Sequence, residues 1–337
     1  MKVTPAWALK RALYHSGLLG LARLARQRVR GLVLRYHALT EGMAEVPYAI
    51  PEICLPVQAF RLQMAFAARA YRVVPLDELV NALATGRALP PRSLAITFDD
   101  GYADNHHLGF PVLRALGLPA TVYVATGSLD GGPPMWTSAV RALVLAARAD
   151  VLEVPGMAPV TLGPPGARHA AVRALTRLLV PLAADAREAL LAATARGAGV
   201  DLQQELAGAM LTWAEVRELA AAGWTIGAHT ARHVNVALAD PAEAEAEIAA
   251  SRDAIARVLG RPVLHFAYPN TGGQHRYFGA DVARILARLG FRSGVTSTNG
   301  ALRPGTDPFV IPRLGVSPRL GPVIELATAM ERQRLAA

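Results

Sequence analysis

Two adjacent carboxylates, Asp99 and Asp100, close an apolar stretch in the run Thr97-Phe98-Asp99-Asp100-Gly101-Tyr102. Successive side chains of a strand point to opposite sides, so one carboxylate can face a metal ion while its neighbour faces a reacting water. Asp-Asp-Gly is also ordinary turn chemistry, and the letters alone leave both readings open. Far downstream, His229 and His233 stand four residues apart in His229-Thr230-Ala231-Arg232-His233. Imidazoles at that spacing share one side of a helical turn and can reach one divalent ion. Two histidines and one carboxylate leave coordination positions for water and substrate, as a hydrolytic centre needs. A chain with nine histidines contains some such pair by chance, so the pair draws its meaning from its surroundings.

Those surroundings are strands. Residues 93–98 (SLAITF) and 224–228 (WTIGA) have the apolar, β-branched content of buried strands, and each runs directly into one of the two groups. Strands are also expected at 31–36, ending on His37, and at 120–125, 263–267 and 292–296. Helices are expected at 58–71, 76–83, 107–116, 212–222, 241–259 and 281–289. This alternation predicts parallel βα units, hence an α/β fold with chemistry at the C-terminal strand ends. Residues 126–211 break the rhythm with Gly131-Gly132-Pro133-Pro134, helical runs at 138–149 and 168–184, and a second Gly/Pro patch at 163–166. We read them as a helical insertion forming one wall of a substrate groove. The expected organisation is a basic helix over 1–30, a catalytic domain over 31–320 and a C-terminal helix or tail over 321–337.

With 337 residues, 52% of them hydrophobic, the chain has ample material for a large core and is no candidate for global disorder. The net charge of +9 points to an anionic neighbour: a membrane surface, a nucleic acid or an acidic glycan. The arginines are scattered and build no stripe interleaved with aromatics, which argues against nucleic acid. Cys54 is the only cysteine, so neither an intramolecular disulfide nor a thiolate cage can form. Near the N-terminus, Lys10, Arg11, Arg23, Arg26, Arg28 and Arg30 flank an apolar stretch too short to span a bilayer. Arg23 and Arg26 also occupy the place of a signal-peptide cleavage site, so a cytoplasmic protein is expected. Trp7, Leu13, Leu18, Leu21 and Leu24 share a helical face. Two readings fit that segment: a helix lying on an anionic membrane, and a packed terminal helix with a solvated basic face.

The TFDDGY run followed by HTxxH resembles the polysaccharide deacetylase (NodB-homology) family, carbohydrate esterase family four. The likeness continues through LRYHA at 34–38, IGAHT with EIAASRDAI, HFAYP at 265–269 and FVIPRLGV at 309–316, in the family's order. It implies a distorted (β/α) barrel and a metal-dependent hydrolase that removes acetyl groups from N-acetylhexosamine residues of a polysaccharide or its precursor. Residue by residue, it implies Asp99 as general base and Asp100, His229 and His233 as metal ligands, zinc being the usual metal. It gives the backbone N–H of Tyr102 to the oxyanion, and Thr230 to bracing the metal loop.

The chain departs from the family at two places. Ala267 and Tyr268 stand where many relatives carry an arginine that steadies the base, and Leu314-Gly315-Val316 replaces an L-x-H motif that supplies the acid. For the acid, His37 is the candidate site histidine, with a structural histidine as the other reading. For the missing arginine, Arg313 is expected to brace Asp99 from the end of a strand-like run at 309–312. The other reading of Arg313 is one surface arginine among many. His106, His107, His169, His265 and His275 are expected to be surface or structural. A rival function of another class is a glycan-binding or membrane-peripheral component of a polysaccharide assembly system, without turnover.

Overall fold

The computed structural model describes residues 31–42, 45–164, 168–270 and 277–335. The basic helix expected over 1–30, and His275, lie outside the described residues. The chain runs through β1 (Leu32–Tyr36), β2 (Ala38–Thr40), β3 (Cys54–Pro56), α1 (Val57–Ala70), β4 (Arg72–Val73), α2 (Leu76–Thr85), β5 (Ser93–Phe98), α3 (Phe110–Ala115) and β6 (Thr121–Val124). There follow α4 (Trp136–Ala146), a hairpin of β7 (Val151–Leu152) and β8 (Val160–Thr161), α5 (Arg168–Leu179), α6 (Ala184–Gly197) and α7 (Leu202–Glu205). Alternation resumes with α8 (Trp213–Ala221), β9 (Thr225–Ala228), α9 (Pro241–Leu259), β10 (His265–Ala267), α10 (Ala280–Arg288), β11 (Ser293–Val295), β12 (Leu314–Gly315) and α11 (Val323–Leu335).

The main sheet has the order β11-β10-β9-β6-β5-β1-β12, with β4 also on β5, and its pairings are parallel. Ile311 bridges Val295 of β11, and three residues later Leu314 pairs with Leu34 of β1. One short run therefore joins the two ends of the curled sheet, which is a distorted (β/α) barrel. Its strands read as continuous apolar runs because both faces are covered. Every residue of β5 is buried. On β1, Leu32, Leu34 and Tyr36 meet the outer helices through Phe60, Met64 and Leu326. Val33 points inward to Ala95, Tyr123, Val295 and Ile311, and Leu76, Leu79 and Val80 of α2 plug the base.

The excursion between β6 and β9 carries an apolar cluster of its own, built from α4, α5, α6 and the hairpin. The hairpin is an addition to the helical insertion expected there, its two-residue strands being too short to announce themselves. The helical run expected over 168–184 ends earlier, at Leu179, and the next helix, α6, begins at Ala184. Pro181 lacks an N–H and disfavours helical backbone in the residue before it, so α5 stops at Leu179. The helix expected over 107–116 begins instead with a π-helical turn, Asn105–Gly109, before Pro111 opens α3. The expected strand at 309–312 does not form, apart from the bridge at Ile311, because Pro308 and Pro312 supply no N–H to a ladder. Among the described residues no helix is long and apolar enough to cross a membrane.

Asp104 ties the first loops to the barrel. Its Oδ1 accepts from the Leu39 N–H at 2.9 Å and from Asn105 Nδ2 at 2.8 Å, and its Oδ2 from the Tyr48 hydroxyl at 3.0 Å. Asn105 Nδ2 also donates to the His37 carbonyl at 2.7 Å, so this cluster supports the end of β1. Burial outweighs those donors and pushes the Asp104 carboxyl up to about 7. An unfolded aspartate titrates near ~3.9, so between the two values the folded chain holds a proton that the unfolded chain has released. Stability contributed by the neutral carboxyl is fully present below the unfolded pKa and is lost as pH rises through about 7. Thermal melts should therefore show the native chain losing stability between pH ~4 and ~7 relative to Asp104→Asn, with no further loss above that range. Parallel stability curves for the two proteins over that range would contradict this.

Candidate active site

The C-terminal end of β5 turns on two left-handed residues, Asp100 (φ 76°) and Gly101 (φ 83°). At Gly101 a Cβ would also press on Val124 at 3.1 Å. This reversal sends the neighbouring carboxylates to different partners. Asp100 Oδ1 lies 3.3 Å from Nε2 of His229 and 3.3 Å from Nε2 of His233. All three side chains are buried and their donor atoms lie within 4.8 Å of one another. His229 Nδ1 donates to the Ala267 carbonyl at 2.8 Å, which turns the Nε2 lone pair toward the cluster.

The two histidines do not share a helical turn, contrary to the expectation from their spacing. They sit on a loop after β9 in which Thr230 (φ 59°) and His233 (φ 54°) adopt left-handed backbone, and this curls the loop back so that both rings face Asp100. Each such non-glycine residue costs on the order of 1–2 kcal/mol and persists only where its surroundings hold it. Burial raises the Asp100 carboxyl, but the His229 and His233 rings 3.3 Å away hold it well below the usual range. Burial lowers His233, favouring the neutral imidazole. An anionic oxygen and two imidazole nitrogens, converging in a buried pocket, fit a divalent ion of the zinc type.

Asp99 faces the other way. Arg313 Nη1 donates to Asp99 Oδ1 at 2.6 Å and Nη2 to Oδ2 at 2.7 Å, a two-point clasp with both side chains buried. Arg313 is itself fixed by Nε to the Thr296 carbonyl at 2.8 Å and Nη1 to Thr97 Oγ1 at 3.1 Å. Burial opposes ionisation of Asp99, yet the charge and hydrogen bonds of Arg313 hold its pKa at about 2. Arg313 comes from just before β12 rather than from the end of a strand at 309–312, and its side chain reaches up the inside of the barrel. His37 Nε2 is 3.9 Å from Asp99 Oδ2, its Nδ1 is buried without a hydrogen-bond partner, and burial lowers its pKa to about 4. Tyr102 is bridged to Met210, and its N–H has no hydrogen-bond acceptor among the described residues.

The histidine loop is gripped from two sides. From the excursion, the Trp136 indole N–H donates to the His233 carbonyl at 3.1 Å, and the Gly127 N–H to the Ala231 carbonyl at 2.8 Å. Arg187 of α6 stacks on Trp136 at 4.5 Å, and Asp185 pairs with Arg232. From α9, buried Glu247 accepts from Arg232 N at 2.8 Å and Arg232 Nε at 2.6 Å. Thr230 Oγ1 accepts from the Val234 N–H at 3.0 Å.

Trp136, Glu247 and the Ala267 carbonyl escaped the sequence reading. Glu247 leaves one trace, a carboxylate on the packed face of α9. A backbone carbonyl leaves none. Four of the other histidines have partners away from Asp99 and Asp100: His106 with Glu218, His107 with Glu215, His169 with Glu45, and His265 between Ser293 and Asp77.

The sequence profile described as "Polysaccharide deacetylase" matches residues 86–146 and 184–294. YxkH of Bacillus subtilis (strain 168), whose name places it among polysaccharide deacetylases, is 26% identical over 98 residues; the match spans 29% of this chain and 32% of that protein. The fold is similar to that of the Streptococcus pyogenes deacetylase PplD in complex with acetate, with a TM-score of 0.60 and 19% identity, covering 90% of this chain and 99% of that one. It is also similar to IcaB from Ammonifex degensii, with a TM-score of 0.59 and 19% identity, covering 90% and 98%.

The grip on the loop can be tested at Trp136. Trp136→Phe keeps a ring under Arg187 but removes the N–H that holds the His233 carbonyl. Cobalt(II) titration should show affinity weakened by about tenfold with the melting temperature little changed. Unchanged affinity would mean that the indole does not position His233.

Proposed function

The chain belongs to the polysaccharide deacetylase family, and on that footing we propose that it is a metal-dependent hydrolase removing acetyl groups from N-acetylhexosamine residues of a polysaccharide or its precursor. The observation that carries the reading is the division between the adjacent carboxylates, Asp100 turned to two histidines and Asp99 clasped by Arg313. Asp100, His229 and His233 would hold the ion, zinc by preference, which when bound supplies Lewis-acid polarisation of the acetyl carbonyl and a water of lowered pKa.

The protein's own groups do the rest. Asp99, kept ionised and oriented by Arg313, accepts the proton of the attacking water. The Tyr102 N–H, which meets no acceptor among the described residues, donates to the carbonyl oxygen as it becomes anionic. The C–N bond then breaks, acetate departs, and the nitrogen needs a proton. His37, 3.9 Å from Asp99, carries that proton across in this reading. It takes the part of the histidine that the family pattern expects at Val316. The N-terminal basic segment would hold the enzyme against an anionic membrane, near a lipid-linked or nascent glycan.

The deciding experiment is acetate release from chitin oligosaccharides by metal-loaded protein, with an O-acetylated glycan as comparison. Asp99→Asn should keep the metal and lose turnover by about 100-fold or more, whereas His229→Ala and His233→Ala should lose both. An Asp99→Asn protein that purifies without metal would overturn the division of roles. Glycan binding without acetate release by the native chain would favour the non-catalytic alternative.

Arg313→Lys keeps the charge and loses the fork, so turnover should fall by about tenfold while KM moves little. A Lys variant with native turnover would remove Arg313 from the site's chemistry.

A further inference from the structure

β1 carries another arginine whose charge no described residue answers directly. Arg35 lies two residues before His37, on the same inward face, level with Thr97 of β5 and Gly315 of β12. Its Nε is buried without a hydrogen-bond partner, and its guanidinium forms no ion pair with any described residue. The carboxylates of the site are already engaged, Asp99 by Arg313 and Asp100 by the two histidines. Burial, then the like charge of Arg313, lowers Arg35 to about 10, and the more distant charges of Asp99 and Asp100 offset this only in part.

The space around this side chain is cleared for it. A Cβ on Gly315 would come within 2.6 Å of Arg35 Nη2, so the guanidinium lies against β12 and a side chain there would push it aside. Arg35 is partly exposed, which leaves it open to a ligand as well as to water. A cation partly withdrawn from water, with a buried Nε left unpaired, gains when a counter-charge arrives. The planar fork with its several N–H donors matches a carboxylate or phosphate at two points.

We propose that Arg35 is a specificity residue that binds a carboxylate or phosphate group carried by the glycan beside the acetylated position. This rests on the deacetylase reading and narrows its substrate class to anionic glycans. A neutral chitin chain would then leave Arg35 unanswered.

The test uses the full-length, metal-loaded protein and two variants. Arg35→Met replaces the cation with an apolar chain of similar length, and Gly315→Ala displaces the guanidinium while keeping its charge. Calorimetric titration with glucuronate and with inorganic phosphate measures the anion site directly. The metal contributes the same background to each protein, so the difference between variants reports Arg35. At least one of the two anions should bind about tenfold or more weakly to both variants than to the native chain, the usual worth of a charged hydrogen bond. The anion that loses more identifies the source, a uronate or a phosphate. Arg35→Met without anion should melt no lower than the native chain, because no partner is stranded.

Acetate release is then compared on a glucuronate-bearing and a phosphate-bearing oligosaccharide against chitin oligosaccharide. The rise in KM caused by Arg35→Met should be about tenfold larger for one anionic substrate than for the neutral one, with kcat less affected. Equal anion binding by the native chain and Arg35→Met, or a marked loss of thermal stability in Arg35→Met, would overturn the proposal. If no glycan yields acetate yet the anion difference persists, the deacetylase reading falls and the anion site stands.

Discussion

Two carboxylates on consecutive residues must both stay ionised out of water, and each solves the problem with a different partner. Asp99 does so through the fork of Arg313, its oxygens 2.6 Å and 2.7 Å from the two terminal nitrogens. Removing one member of such a buried pair typically costs about 3–5 kcal/mol, because the other is left as an unpaired charge. The pair also lies where the barrel closes. Arg313 falls between Ile311, bridged to β11, and Leu314, paired with β1. The seam of the sheet and the orientation of the candidate base therefore depend on the same few residues. That links fold to site more tightly than a loop-borne arginine would.

The barrel was legible in the sequence for a simple reason. Strands covered on both faces must be apolar throughout, and helices covered on one face must not be, so the alternation is visible in the letters. The bounds of α9 agree with those expected because Asp240 caps its start and Gly260, in left-handed backbone, ends it. The hairpin of β7 and β8 was not legible, since two residues per strand carry no period. The end of α5 is legible in Pro181, which disfavours helical backbone just before it.

The site was legible by residue type rather than by shape. Aspartate and histidine letters mark what chemistry is on hand, and the chain brings Asp100, His229 and His233 together within 4.8 Å. Spacing suggested a helical turn for the histidines, but the loop reaches the same end through left-handed Thr230 and His233. Arg313 could be suspected as a replacement for the arginine missing near Ala267, while nothing in the letters told that Ala267 would offer its carbonyl to His229. Contributions made by backbone, and contacts between residues nearly a hundred positions apart such as Trp136 and His233, have no local signature.

The grip of the excursion on the histidine loop has a thermodynamic side. Trp136, Gly127 and Asp185 belong to a unit with its own apolar cluster, yet each ends on the segment that bears both candidate ligands. If an ion at His229 and His233 favours the curled form of that segment, it must equally favour the seated form of the unit holding it, since coupling between two sites acts in both directions by the same factor. Occupancy and the seating of residues 126–211 then form a single linked equilibrium, so whatever loosens that wall loosens the ion.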